Sequence, residues 1–232
     1  MKKRGISQET LKMIACATML MDHIGAVFVP GYYAYYTLRV IGRLAFPIYC
    51  FLIAEGAHYT RNPKKYALRL AVGAVLSEVP FDFAFFGGWT LEHQSVMITL
   101  LLGFLALQVM KKCSNSVLKL LAAAGFALLA EWLQTDYGGC GVMLIAMFGI
   151  VRGTPHEQWV QLLGLAVVCW LMDSARIPVL GVRIPIEMFA VPAMIPIALY
   201  SGRKATHSKA VQWGFYLFYP VHMAVLYLLA ML

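Results

Sequence analysis

The chain has 232 residues, of which 61% are hydrophobic and only 13% are charged, and its mean hydropathy is +0.71. Soluble domains usually carry about 25% charged residues, so this composition excludes an ordinary soluble domain and predicts an all-α, polytopic membrane bundle in one domain, 1–232. A net charge of +8 would suit a nucleic-acid partner, but the positions of the basic residues, given below, argue against that class.

The first apolar segment, residues 11–29, carries two adjacent ionisable residues, Asp22 and His23, near its middle. Ionisable groups at that depth are costly and indicate a functional site by default. Imidazole titrates near neutral pH, so one interpretation makes His23 a general base. The alternative is a buried polar pair that ties this helix to its neighbours. Asp22 and His23 also interrupt the apolar run after the basic N-terminus, and no cleavage site follows, so we expect no signal peptide.

The remaining apolar segments predict eight further helices. With the first they cover 11–29, 39–58, 66–86, 96–110, 117–134, 138–151, 159–174, 184–200 and 211–231. Ser7 is placed to cap the first helix, with Glu9 in its first turn. The segments 96–110 and 138–151 are shorter than the roughly 20 residues that span a bilayer, so their crossings are the least secure. Five scattered cysteines with no CxxC pair predict neither a disulfide framework nor a zinc site.

The basic residues predict the orientation of these helices. With a cytoplasmic N-terminus, 15 of the 19 Lys and Arg residues fall in inner loops or inner helix ends, and four (Arg39, Arg43, Arg176 and Arg183) fall at outer ends. This asymmetry follows the positive-inside rule and predicts nine crossings with the C-terminus outside. The positive charge therefore reflects topology and is not a nucleic-acid footprint.

Two pairs of charged residues lie four positions apart on predicted helices, and so each pair shares one helix face. Arg39 and Arg43 lie near the outer end of the second helix, and Glu78 and Asp82 near that of the third. We expect these charges to pair, with Asp22 as a further acid, because unpaired charges inside a membrane are prohibitive. The pairs either clamp the first three helices together or form part of a site.

The last helix contains a second deep histidine, His222, two residues after Pro220. Pro220 leaves the carbonyl of residue 216 without its helical donor, so a lone histidine here could simply bond to a bare carbonyl. A second histidine at the depth of His23 favours a functional site instead. Asp173 and Glu187 also lie at outer helix ends, where the plain alternative is a wet interfacial residue, and we expect that of Asp173.

An ordered set of motifs resembles the TraX family over nearly the whole chain. The segments that carry the resemblance are LKMIA at 11–15, MDHIG at 21–25, RVIGRLAFP at 39–47, EG at 55–56, RNPKKY at 61–66, SEVPFD at 77–82, DYG at 136–138 and FYPVH at 218–222. The family is named for the enzyme that N-acetylates conjugative F-type pilin. The resemblance implies a multi-pass acyltransferase of the bacterial cytoplasmic membrane that takes its acyl group from acetyl-CoA.

The resemblance also implies roles for the residues singled out above. The expected reaction moves an acetyl group from acetyl-CoA to an amine, with the N-terminus of a membrane peptide as one possible acceptor. His23 would be the base, His222 a second candidate base or an orienting residue, and Arg43 the oxyanion donor, with Asp22, Glu78 and Asp82 as its acidic partners. The inner basic residues Arg61, Lys64, Lys65 and Arg203 would hold the phosphates of CoA, and no metal is expected.

A proton-coupled small-molecule transporter is the alternative, because buried histidines and carboxylates also form proton relays. Nine crossings do not divide into two equal halves, however, and no inverted repeat is visible, which argues against the common transporter designs.

Overall fold

The computed structural model describes residues 5–172, 174–179, 181–202 and 208–232, and most of them are helical. The predicted all-α class is therefore confirmed, with one small β-hairpin added. The helices are α1 (Gln8–Phe28), α2 (Tyr32–Gly42), α3 (Ala45–Tyr59), α4 (Pro63–Phe86), α5 (Val96–Met110), α6 (Ser116–Trp132), α7 (Gly138–Val151), α8 (Glu157–Leu171), α9 (Met194–Ala198) and α10 (Lys209–Ala230).

Three helical stretches in the described part of the chain are long and apolar enough to cross a membrane by themselves. They are Gln8–Phe28, Tyr32–Tyr59 and Ala210–Ala230. The second combines α2 and α3, which a tight turn separates at Arg43 and Leu44, so the predicted helix 39–58 begins earlier and is broken. The shorter apolar helices are Val96–Met110, Gly138–Val151, Glu157–Leu171 and Ile186–Ala198.

The prediction of a helix over 184–200 is confirmed only in part, because residues 186–198 are helical but mostly not α-helical. Strands β1 (Arg176–Val179) and β2 (Val182–Pro185) form an antiparallel hairpin, and a 3-10 helix (Ile186–Ala193) leads into the short α9. Three prolines in the stretch, Pro185, Pro192 and Pro196, lack the N–H that an α-helix needs, which explains the departure from regular α-helix. Eight 3-10 residues and five α residues rise about 24 Å, less than the ~30 Å of a hydrocarbon core.

The chain divides into two compact units, and the first is built from the described parts of Met1–Tyr49 and Gln158–Leu232. Its central feature is the hairpin of α1 and α2, against which α10 packs on the α1 side. The predicted cap of α1 is confirmed, since the Ser7 side chain accepts a hydrogen bond from the Thr10 N–H at 3.1 Å. Beside it, Ile6 donates its N–H to the Leu199 carbonyl at 2.9 Å.

The second unit, Cys50–Glu157, contains most of α3 together with α4, α5, α6 and α7. Helix α5 is in contact with α4, α6 and α7, and Leu102, Ala106, Ala130 and Val142 form a buried cluster between α5, α6 and α7. Gly103 faces Ile145 so closely that a methyl group at position 103 would meet that side chain. Small residues of this kind let helices approach each other closely in a membrane.

Candidate functional site

The two deep histidines meet in the first unit. His23 Nδ1 on α1 lies 2.7 Å from His222 Nε2 on α10, although 199 positions separate the residues. The ring planes differ by 2° and the ring centroids are 4.9 Å apart. The centroid separation exceeds the N···N distance by about one ring diameter, so the contact is an in-plane hydrogen bond rather than a stack of ring faces. The predicted similarity of depth of these histidines is therefore confirmed as direct contact.

The proton positions in this pair follow from a third group. His222 Nδ1 lies 2.6 Å from the carbonyl oxygen of Phe218, and a carbonyl only accepts, so His222 carries its proton on Nδ1. The Nε2 atom of neutral His222 is then an acceptor, and His23 must donate from Nδ1. In neutral His23 the basic lone pair therefore lies on Nε2. The carbonyl used is that of Phe218, not that of Tyr216, which lies four residues before Pro220.

Aromatic side chains hold the histidine pair in place. The Phe218 ring stacks on His222 with centroids 4.7 Å apart. Tyr219 meets both imidazoles edge-on, at 5.9 Å from His23 and 5.6 Å from His222. His23 is 8% exposed and His222 is 7% exposed. Rings packed in this way restrict the rotamers of both histidines, which keeps the hydrogen bond between them aligned.

A buried network of charges lies beside this pair. Asp22 accepts from Arg39 Nη1 and from Arg43 Nη2, each at 2.6 Å, so that both of its oxygens are engaged. Arg43 Nη1 donates to Glu187 at 2.8 Å, and Arg43 Nε donates to the Arg39 carbonyl at 3.3 Å. Two cations and two anions make the network neutral, which is how buried charges are tolerated. The predicted pairing of Asp22 with an arginine is confirmed, and the structure shows that it pairs with both.

The hairpin of α1 and α2 places these groups at one level. Helix α1 ends six residues after Asp22, and Arg39 follows the start of α2 by seven residues, so antiparallel packing brings them side by side. Two glycines allow the close approach. A Cβ atom on Gly42 would lie 2.6 Å from Asp22 Cγ, and one on Gly25 would lie 2.8 Å from Leu38 Cβ.

The prediction that Glu78 and Asp82 neutralise the arginines is wrong. Glu78 accepts from the Ser95 hydroxyl at 2.5 Å, and Asp82 accepts from the Thr90 N–H at 3.2 Å, all within the second unit. The acid that completes the arginine network is Glu187. Glu187 is only 6% exposed, so the interfacial alternative does not hold for it, and Asp173 lies outside the described residues. Arg43 is held by Asp22 and Glu187, so a role as oxyanion donor has no support from its position. Catalytic roles for Glu78 and Asp82 stay predictions.

Three of the basic residues predicted for CoA lie in the second unit. Arg61, Lys64 and Lys65 are exposed around the start of α4, where Asn62 caps the helix by accepting from the Lys65 N–H at 2.9 Å. Cations beside a helix N-terminus suit phosphate groups. Arg203 lies outside the described residues. Among the described residues, no group of three or more His, Cys, Asp or Glu side chains is placed to hold a metal ion.

The same end of the second unit contains an ion pair that the sequence analysis missed. Arg152, at the end of α7, donates to Glu55 on α3 and, at 2.8 Å, to the Tyr59 hydroxyl. Burial alone would lower the pKa of Arg152, but its bond to Glu55 outweighs burial and raises the pKa. Lys111 donates to the Ala57 carbonyl nearby, and burial lowers its pKa. The sequence signal for this ion pair was Glu55, the one acidic residue in the apolar helix α3.

Comparison with known proteins gives the context of this arrangement. The family model described as TraX protein matches residues 7–230. A probable fimbrial assembly protein FimC, serogroup H1, from Dichelobacter nodosus is 29% identical over 233 residues, which cover 93% of this chain and 92% of the relative. No solved structure matches. The matched region includes both histidines and the arginine network, and the chain is a helical membrane protein that belongs to the TraX family.

Proposed function

We propose that this protein is an acetyltransferase of the bacterial cytoplasmic membrane that moves an acetyl group from acetyl-CoA to an amine. The observation that carries the proposal is the hydrogen-bonded row Phe218–His222–His23, because it defines which nitrogen of the buried His23 side chain is basic. The relative from Dichelobacter nodosus is named as a probable fimbrial assembly protein. That name is compatible with an acceptor amine on a membrane-bound pilin-like peptide.

His23 acts as the base in this reaction. An amine becomes a better nucleophile when a neighbouring base removes its proton during attack, and Nε2 is the nitrogen of neutral His23 that carries the lone pair for that step. The α-amino group of a peptide titrates near 8, so a fraction of it is already neutral at pH 7 and can attack. His222 Nε2 accepts the hydrogen bond from His23 Nδ1–H. The proton of His23 therefore stays on Nδ1, and Nε2 is its basic nitrogen. As the reaction ends, the same Nε2–H returns the proton to the leaving sulfur.

The acyl donor supplies a thioester whose carbonyl carbon accepts the amine. Arg61, Lys64 and Lys65 would bind the phosphates of the nucleotide, since they are exposed and cationic. From Lys12 to His23 is eleven residues, about 16 Å along the axis of α1. A donor that enters from the basic side must therefore reach well into the membrane, which a long, thin pantetheine arm can do and a bulky nucleotide cannot.

The first test is binding and turnover of acetyl-CoA by the purified chain in nanodiscs. We expect saturable binding of acetyl-CoA and an amine-dependent release of CoA thiol. Mass spectrometry of membrane peptides from cells with and without the gene then identifies the acceptor. Its amine should carry an added mass of about 42 Da, which corresponds to one acetyl group. Failure to bind acetyl-CoA, together with proton flux in sealed vesicles, would replace this proposal with the transporter.

A further inference from the structure

The two arginines that share Asp22 differ in how their remaining donors are used. The Arg43 side chain is 8% exposed, and it contacts Asp22, Glu187 and the Arg39 carbonyl. The Arg39 side chain is 23% exposed and contacts Asp22 through Nη1 alone. Within the described part of the chain, Nε and Nη2 of Arg39 have no hydrogen-bond partner. Arg43 is therefore a structural residue. Arg39, in contrast, has two further donor groups, Nε and Nη2, which together form its donor edge.

That donor edge is held in a fixed position. The bond of 2.6 Å to Asp22 restrains one nitrogen of a rigid, planar guanidinium, so the orientation of the other donors is restrained as well. Tyr35 lies one turn earlier on α2, with its ring centroid 6.0 Å from Arg39 Cζ. Donors held in place before a charge develops are the kind that stabilise an oxyanion, because they need no reorganisation when the charge appears.

Arg39 also lies beside the base. Asp22, its partner at 2.6 Å, is the neighbour of His23 in the sequence, so the Arg39 guanidinium is held against the turn of α1 that carries the base. A reacting carbonyl must be reached by the base-activated amine on one side and by an oxyanion donor on the other. Of the two arginines near His23, only Arg39 combines partial exposure with donors that no described residue uses.

We infer that Arg39, rather than Arg43, binds the negatively charged oxygen that develops on the acyl group next to His23. The inference rests on the proposed function, since it concerns the thioester carbonyl of the same reaction. As the amine nitrogen forms its bond to the carbonyl carbon, the C=O π electrons move onto oxygen, and the Arg39 N–H groups receive that charge. When the C–S bond breaks, the electrons return to the carbonyl and sulfur takes the proton from His23.

Two isosteric CoA derivatives test this without an acceptor. Carboxymethyl-CoA carries a carboxylate near the position of the acyl oxygen, and carbamoylmethyl-CoA carries a neutral amide of the same shape. We expect the wild-type chain in nanodiscs to bind the carboxylate at least ~10-fold more tightly, since hydrogen bonds between charged groups are worth about that factor or more. Arg39→Gln should abolish this preference and leave the affinity for carbamoylmethyl-CoA unchanged.

Arg183→Gln is the matched control, because Arg183 is an exposed arginine of the same unit, on β2, and it should keep the wild-type preference. If Arg39→Gln fails to fold, Arg39→Lys replaces it: lysine can keep the contact with Asp22 but has no second donor edge, so the preference should still be lost. Equal binding of the two derivatives by the wild type, or a preference that survives in both Arg39 variants, overturns the inference while CoA binding stands. Binding of neither derivative overturns the proposed function and this inference with it.

Discussion

Gly42 on α2 lies directly against Asp22 on α1: a Cβ atom at Gly42 would be 2.6 Å from the Asp22 Cγ atom. Real Cβ atoms essentially never approach a neighbour within 3.0 Å, so any larger residue here must displace the carboxylate that bonds both arginines. The position of the charge network therefore depends on the absence of a Cβ atom at Gly42. This dependence gives the first prediction.

Gly42→Ala should destabilise the folded chain by about 2 kcal/mol, because the added methyl group separates α1 from α2 and weakens the bonds of Asp22. Thermal unfolding in nanodiscs measures the change. Gly214→Ala is the control, since Gly214 lies in α10 with nothing within 4 Å of an added Cβ, and alanine favours helix over glycine. Equal stabilities of the two variants would show that the close packing at Gly42 is unimportant.

Arg43→Ala should lower the free energy of unfolding by about 3–5 kcal/mol, because it leaves Asp22 and Glu187 buried without their shared cation. The double variant Arg43→Ala/Glu187→Ala should recover part of that loss, since one stranded charge is removed. Arg183→Ala, at an exposed position, should change stability by no more than ~0.5 kcal/mol. Additive effects of the Arg43 and Glu187 substitutions would contradict the pairing.

His23→Ala should lower kcat by ~10²–10⁴-fold while acetyl-CoA affinity and thermal stability stay close to the wild type, because the variant lacks the base but keeps the binding groups. A variant that keeps the parental rate would remove His23 from the mechanism. If His23 is only a structural tie, activity should instead fall in proportion to the folded fraction. Amine-dependent release of CoA thiol, measured with acetyl-CoA at saturation, separates these outcomes.

His222 should behave as a positioning residue. His222→Leu removes the acceptor for His23 Nδ1–H and should lower kcat by ~10–100-fold, the size of effect seen when residues that orient a histidine are removed. His222→Gln should restore part of the rate, because its amide can accept from His23 and donate to the Phe218 carbonyl. Equal rates for the leucine and glutamine variants, at equal folded fractions, would mean that the hydrogen-bonded row does not matter.

Removing Arg152 should be more damaging than removing Glu55. Glu55 is 5% exposed, so Arg152→Ala strands a buried carboxylate and should cost about 3 kcal/mol. The Arg152 side chain is 23% exposed and can turn toward water in Glu55→Ala, which should cost about 1 kcal/mol. Thermal unfolding of both variants and of the double variant measures this asymmetry. The opposite order would contradict the buried state of Glu55.

Much of the helical organisation can be predicted from the sequence because it depends on local pattern. Apolar runs of 14 or more residues locate α1 and α4 to α8 within a few positions, and Ser7 marks the start of α1 with a capping side chain. The same reasoning succeeds only in part over 184–200. An apolar run with three prolines is still apolar, so hydropathy predicts a helix where the missing N–H groups produce a strand and a 3-10 helix.

The partners of the buried ionisable groups could not be predicted from the sequence. Local spacing shows that Arg39 and Arg43 share a face, and desolvation requires that they be paired, but several acids satisfy both conditions. Glu187 lies 144 positions from Arg43, and His222 lies 199 positions from His23. Hydropathy is enough to predict that charges and histidines are buried in an apolar bundle. Which of these groups meet depends on the packed fold, because contact between distant segments is set by how the helices pack and not by any local pattern.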